Sequence, residues 1–166
     1  MIDLCVAPVI NTMSIADAAY VAGLIDGEGC ITMVCQAPAK RSRAKSDLHY
    51  VLVTITNTHI GIMEWLQEVV GGRAANRTEG TKSQDRMVQN NWKDRYEWRV
   101  TGKKAYALLE QIEPYLVIKK EQCKIALAMR DLGQWSSSNG CTSEVLLAQR
   151  QKLMDEIRLL NKKGRT

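Results

Sequence analysis

Residues 21–29 read Val-Ala-Gly-Leu-Ile-Asp-Gly-Glu-Gly, and the reading of this nonapeptide decides the fold. Apolar residues of a helix run directly into two acids, Asp26 and Glu28, bracketed by glycines. Ala19, Gly23 and Gly27 stand at i, i+4 and i+8, so they share one helix face and leave it almost without side chains. Such a face lets another helix backbone come close, because interaxial distance shrinks with the size of the contact residues. The acids emerge at the C-terminal end, where the helix dipole is negative and a carboxylate is disfavoured unless a cation is near. Tight helix pairing beside a destabilised carboxylate implies a metal site built at an interface. A helix stopped by Gly-x-Gly would account for the glycines, but not for this order of small, apolar and acidic positions.

Upstream, Ser14 and Asp17 resemble a capping box that starts a helix running to about Asp26, behind an arm of residues 1–13. Downstream the period changes to two. Ile31, Met33 and Cys35 alternate with Thr32, Val34 and Gln36, which predicts a strand with one buried and one open face. After a basic loop over Pro38–Asp47, Val51, Val53 and Ile55 face one way and Tyr50, Leu52, Thr54 and Thr56 the other. Ile60–Val70 returns to helical spacing and stops at Gly71-Gly72. Residues 73–78 and 91–101 form a second hairpin, with Trp92, Tyr96, Trp98 and Val100 opposite Lys93, Arg95, Glu97 and Arg99 and a polar connection over Gly80–Asn90. Helices follow over about Lys103–Ile112, Val117–Leu132 and Ser143–Asn161, with a linker at Ser136–Gly140.

The order α-β-β-α-β-β-α defines an α+β fold: an antiparallel four-stranded sheet, helices on one face, and extra C-terminal helices. The open face collects Thr32, Gln36, Tyr50, Thr54, Thr56, Arg95 and Arg99. Polar and basic side chains at every second residue suit strands laid along a DNA groove. The length fits one domain over residues 1–166, closed by a helix and basic tail at 143–166, and the nonapeptide occurs once. The formal charge is +5, with basic clusters at Lys40, Arg41, Arg43 and Lys45 and at Lys162, Lys163 and Arg165. Five cysteines without CxxC spacing read as reduced, mostly buried thiols, and His49 and His59 as structural or surface residues. No apolar run reaches the roughly 18 residues of a membrane span and no secretory leader stands at the N-terminus, so an intracellular protein is expected, in a prokaryotic or archaeal cytoplasm or an organelle, without a membrane partner.

The nonapeptide resembles the LAGLIDADG motif of the homing endonucleases, differing from it at Val21, Gly27 and Glu28. The order of elements agrees with that family, so the resemblance covers nearly the whole chain. It implies a homodimer whose motif helices pack at the twofold axis through Ala19, Ala22, Gly23, Asp26 and Gly27. The dimer would form a saddle over a pseudo-palindromic duplex of about 20 base pairs, since protein symmetry is mirrored in the target. It would hydrolyse one phosphodiester on each strand, leaving short 3′ overhangs. Glu28, at the eighth motif position, would bind a divalent ion with help from Gly27; Mg²⁺ fits, and Mn²⁺ or Ca²⁺ would occupy the same place. Asp26 would organise the helix end. In Pro114-Tyr115-Leu116-Val117-Ile118-Lys119, Lys119 matches the catalytic lysine, with Lys120 an adjacent alternative. Asn57 either holds a water, as its relatives do, or is a strand-end turn residue. The DNA-contacting set is then Thr32, Val34, Gln36, Lys40, Arg41, Arg43, Tyr50, Leu52, Thr54, Thr56, Arg73, Arg77, Lys93, Arg95 and Arg99.

Two other functions remain to be separated from this one. A protein of the same fold could bind nucleic acid without cutting it, as an intron RNA maturase or a transcription regulator; an intact Glu28 with a matching lysine speaks against that. A small metal-dependent enzyme acting on soluble substrates is disfavoured by the open basic sheet and by the lack of a second acid-rich motif.

Overall fold

The computed structural model describes residues 12–40, 45–77, 94–132 and 142–162. The first helix, α1 (Ile15–Glu28), is capped by Ser14, whose hydroxyl accepts from the Asp17 N–H at 3.1 Å and donates to the Asp17 carboxylate at 2.7 Å. It runs two residues past the expected end, so both acids lie inside its last turn. The reason is that Gly29, not Gly27, turns the chain. A Cβ on Gly29 would stand 2.7 Å from Ile25 Cα, 2.8 Å from the Ile25 carbonyl oxygen and 3.1 Å from that of Thr54. No side chain fits where the helix passes directly into the next strand.

That strand, β1 (Gly29–Gln36), pairs antiparallel with β2 (Leu48–Asn57) from Gly29 opposite Ile55 to Gln36 opposite Leu48. Helix α2 (Ile60–Val69) follows, then β3 (Arg73–Asn76) and β4 (Tyr96–Thr101). The sheet order is β1-β2-β4-β3. Strand β4 begins at Tyr96 rather than near residue 91, because Asn57 of β2 and Asn76 of β3, its partners there, are the last residues of their own strands. One further bond, from the Arg77 N–H to the Arg95 carbonyl at 2.8 Å, continues the hairpin irregularly. Gly71 and Gly72 adopt φ of +84° and +88°, where a side chain is strained. A Cβ on Gly72 would also stand 2.8 Å from the indole nitrogen of Trp98, which donates to the Gly71 carbonyl at 2.7 Å.

Helix α3 (Gly102–Ile112) ends in a single 3₁₀ turn at Glu113–Tyr115 that carries Pro114. Helix α4 (Lys120–Asp131) starts three residues later than the spacing predicts. The N–H groups of residues 117–119 are bound by the Asp26 carboxylate, which holds them in a turn ahead of the helix. Helix α5 (Glu144–Asn161) begins as expected after Ser143, whose hydroxyl accepts from the Leu146 N–H at 3.3 Å. At its far end the Asn161 amide donates to the Ile31 carbonyl at 2.9 Å, pinning the helix to the outer edge of β1.

The core lies between the sheet and the helices. Val21, Ile25, Ile31, Val51, Val53, Ile55, Leu66, Trp98, Leu108, Leu109 and Ile157 are all fully buried. They alternate along each strand with side chains of the opposite sheet face, which no described helix covers. Burying an aliphatic side chain this way stabilises by roughly 1.5–3 kcal/mol relative to exposing it. The cysteines only partly follow expectation: Cys123 is buried, but Cys30 and Cys35, near the two ends of the edge strand β1, are half-buried. All three are free thiols, and burial with the nearby Glu113 pushes the Cys123 thiol up to about 12. His49 is buried on the core face of β2, as a structural histidine. The last residue of the expected N-terminal arm is docked, with the Met13 N–H on the Gln111 side chain at 2.9 Å. Arg41, Arg43, Trp92, Lys93, the Gly80–Asn90 connection, the Ser136–Gly140 linker, Lys163 and Arg165 lie outside the described residues.

Candidate functional site

The open sheet face is built by register. Its cross-strand rows read Cys30, Thr54, Arg99 and Arg73, then Thr56, Glu97 and Ala75, with Thr32 opposite Leu52 and Val34 opposite Tyr50 further out. Thr32, Val34, Gln36, Tyr50, Leu52, Thr54, Thr56 and Arg99 thus share one surface, as the period-two pattern predicted, and register adds Arg73 to it. Arg95 lies just before β4, exposed, and Lys40 is exposed beyond β1.

Arg73 and Arg99 stand directly opposite each other. Like charges at a cross-strand pair, with Cβ atoms about 5 Å apart, are destabilising. Among the described residues neither arginine takes an acidic partner. Arg77 differs: its Nε donates to the Glu97 carboxylate at 3.0 Å and its Nη2 bonds the same oxygen. Glu97 was placed on the open face by sequence but not among the functional residues, although an acid alternating with arginines was the available signal.

At one end of this face the motif helix ends. Glu28 is exposed in the last turn of α1. Asp26 turns inward instead: its Oδ2 accepts from the N–H groups of Val117 at 2.8 Å and Ile118 at 3.1 Å, and its Oδ1 from that of Lys119 at 2.9 Å. The Lys119 ammonium donates to the main-chain carbonyl of Asp26. Burial of the Asp26 carboxyl opposes its ionisation. The backbone bonds from Val117, Lys119 and Ile118 and the Lys119 charge outweigh it and hold the group below its ordinary value. Burial raises the Cys30 thiol, and the Lys119 charge opposes the rise. Asn57 sits at the same sheet end with its Oδ1 accepting from the His59 N–H at 2.9 Å, so it forms the strand-end turn. Glu28, Lys119 and Asn57 are thereby brought to one end of the sheet. Lys120 begins α4 and makes no described bond to α1.

The expected seam needs one correction. Ala22 is fully buried against the core and has no surface to offer a partner; it lies on the same side of α1 as Ala18, Val21 and Ile25. Ala19, Gly23 and Gly27 are exposed on the other side, and a Cβ on either glycine would meet nothing within 4 Å. Neither glycine is required by packing within this chain, yet each costs helix stability relative to alanine. Asp26, also expected at the seam, has its carboxylate engaged within the chain. Two exposed apolar residues that sequence reasoning did not single out, Val117 (84% exposed) and Ile118 (70%), flank the end of this face.

Among the described residues no group of three or more His, Cys, Asp or Glu side chains could hold a metal ion. The donors at the helix end are nevertheless hard oxygens: the exposed Glu28 carboxylate and last-turn carbonyls, such as that of Gly27, which lack intrahelical partners. That donor set fits Mg²⁺, which takes few protein ligands and keeps the rest as water or phosphate oxygen. No described helix is long and apolar enough to cross a membrane.

A four-stranded antiparallel sheet, entered directly from a helix ending in Asp-Gly-Glu and with one face that no described helix covers, defines an α+β architecture. No family model and no curated protein sequence matches the chain. Solved structures do. The homing endonuclease I-CvuI, in complex with the I-CreI target and Mg with its DNA not cleaved, aligns over 91% of this chain and 85% of its own at 21% identity and a TM-score of 0.69. The archaeal intron-encoded homing endonuclease I-Vdi141I, complexed with DNA, aligns over 90% and 86% at 18% identity and a TM-score of 0.63. The LAGLIDADG homing endonuclease I-LtrWI, bound to target DNA, aligns over 82% of this chain but 42% of its own, at 18% identity and a TM-score of 0.60. The chain has the fold of the LAGLIDADG homing endonucleases.

Proposed function

We propose that this protein is a site-specific DNA endonuclease of the homing type, acting as a homodimer on a long pseudo-palindromic duplex with a divalent ion. The observation that carries this reading is the Arg73–Arg99 pair: two cations held opposite each other, with no acidic partner among the described residues, on a sheet face that ends at Glu28 and Lys119. Such an arrangement is stabilised by a polyanion and by little else. The β1–β2 ladder is eight residues long, or about 26 Å, which matches seven to eight base pairs at roughly 3.4 Å each. Two such ladders about a twofold axis account for most of a target of about 20 base pairs. The exposed, sterically idle Gly23 and Gly27 support pairing through α1. So does the contrast between I-CvuI, 85% covered by this chain, and I-LtrWI, 42% covered.

In this reading Glu28, with the Gly27 carbonyl, would hold Mg²⁺. The ion supplies Lewis-acid activation of water and stabilisation of the leaving 3′ oxygen. Lys119 offsets charge on the phosphate from the position its bond to Asp26 fixes. Asp26 keeps the residue 117–119 turn against the helix end, so that Glu28 and Lys119 face the same strand. Asn57 terminates β2 beside them.

Selection of cleaved sites from a random duplex library with Mg²⁺ tests this reading. The expected product is a symmetric recognition sequence cut once per strand with 3′ overhangs, lost in Glu28→Gln while binding persists. A wild-type protein that selects a sequence but never cuts it would favour the non-cleaving alternative.

A further inference from the structure

We propose that Glu97 is a specificity-determining residue: it aims the Arg77 guanidinium at a guanine edge near the centre of the target, and in doing so gives up affinity for DNA in general. The inference rests on the DNA-binding reading above and deepens it. An acid on a face that meets phosphates is unfavourable for binding any duplex, so its presence there calls for a role other than affinity. Glu97 takes the side edge of Arg77, Nε at 3.0 Å together with Nη2, through a single oxygen. That contact holds the guanidinium edge-on to Glu97 and so contributes to fixing its plane. An arginine reads guanine by two parallel N–H bonds to O6 and N7, a geometry that a fixed plane selects and a mobile one does not. An arginine without such a holder serves equally well on a phosphate, which carries no sequence information.

Register gives the place of the base pair. Glu97 lies opposite Thr56, in the row next to the one joining Trp98 and Ile55, and Ile55 pairs with Gly29, the residue that follows Glu28. At strand spacings of about 4.8 Å Glu97 is roughly 10 Å across the sheet from the end of α1, and Arg77, one strand further out, starts roughly 14 Å away. The guanine it reads is therefore among the base pairs closest to the cut, not at the outer ends of the site. Among the described residues Arg73 and Arg99 have no such acid, which suits them to track phosphates.

The test compares bound-site selection from a random duplex library in Ca²⁺ for wild type, Arg77→Ala, Glu97→Ala, Glu97→Gln and the double alanine variant. The same proteins are titrated with one non-specific duplex. The expected result is a G·C pair per half-site that becomes degenerate, by about tenfold in relative preference, in Arg77→Ala and in Glu97→Ala, at the same position. The double variant adds no further loss, and Glu97→Ala binds the non-specific duplex more tightly than wild type. Glu97→Gln, which keeps an acceptor without the charge, retains part of the preference. Loss at two different positions, or an unchanged preference in a folded Glu97→Ala, overturns the proposal while leaving DNA binding intact. A wild-type protein that selects no sequence at all overturns both readings together.

Discussion

Asp26 and Lys119 hold each other twice. The Asp26 carboxylate accepts the Lys119 backbone N–H at 2.9 Å, and the Lys119 ammonium donates to the Asp26 main-chain carbonyl. Ninety-three positions separate the two residues in sequence. The reciprocal bonds fasten the start of α4 to the end of α1 and hold Lys119, the only described lysine bonded to the motif helix, on the Asp26 carbonyl two residues before Glu28. They also relieve the dipole at the end of α1, since Lys119 is the cation that the terminal carbonyls call for.

Asp26→Asn should destabilise the fold by about 1–2 kcal/mol at neutral pH, because an amide cannot accept from both sides as the carboxylate does. The Asp26 pKa lies below its unfolded value of 3.8, despite burial, because of the backbone bonds and Lys119. Its stabilisation is therefore full above that value and is lost as pH falls through the lower folded pKa. Urea unfolding at pH 7 and near pH 3 should show the gap between wild type and variant narrowing in acid. A gap that stays constant would mean the carboxylate charge is not what the turn uses.

Lys119→Met should lower cleavage by at least about a hundredfold with little change in DNA affinity, as expected for removal of one group that stabilises transition-state charge. Lys120→Met should stay within a few-fold of wild type. Single-turnover cleavage of a selected site measures both, and the reverse ranking would transfer the assignment to Lys120.

The motif glycines should separate into two kinds. Gly29→Ala forces a methyl group to within 3 Å of the Ile25 backbone and should cost about 2–3 kcal/mol of stability. Gly23→Ala and Gly27→Ala meet open space within the chain and should gain about 0.5–1 kcal/mol of intrinsic helix stability each. The same two variants should weaken self-association, seen by sedimentation. If they dimerise as well as wild type, α1 is not the seam.

Binding should fall steeply with added salt. Arg73→Ala and Arg99→Ala should each reduce the slope of log affinity against log salt by about 1. Either variant should fold at least as stably as wild type, since it removes a cross-strand repulsion. Electrophoretic or fluorescence titrations from 50 to 200 mM salt, an interval across which such contacts act strongly, measure the slopes.

Much of this was legible without coordinates because the signals were local. Period-two alternation in residues 31–36 and 50–56 assigned each side chain to its face. The Ser14 cap, the helical period from Ser143 and the Gly71-Gly72 stop marked boundaries to within a residue or two. The misplaced starts of α4 and β4 share one cause: each is set by a distant partner, the Asp26 carboxylate in one case and the ends of β2 and β3 in the other. Ala22 was misassigned because membership of a motif does not say which way a helix is turned. Only the core contacts of Ala18, Val21, Ala22 and Ile25 fix that rotation.

The nonapeptide by itself determined the kind of protein: a helix with a bare small-residue stripe, two terminal acids and a strand to follow, all properties of adjacent residues. Tertiary structure decided which acid does what. Asp26 is drawn inward by three N–H groups from a turn that local sequence does not place near it, and Glu28 is left in solvent at the sheet end. It likewise decided that Gly29 is compulsory while Gly23 and Gly27 are not, and that Glu97 meets Arg77. Each of these depends on atoms far apart in the chain, and spacing within a segment carries no record of them.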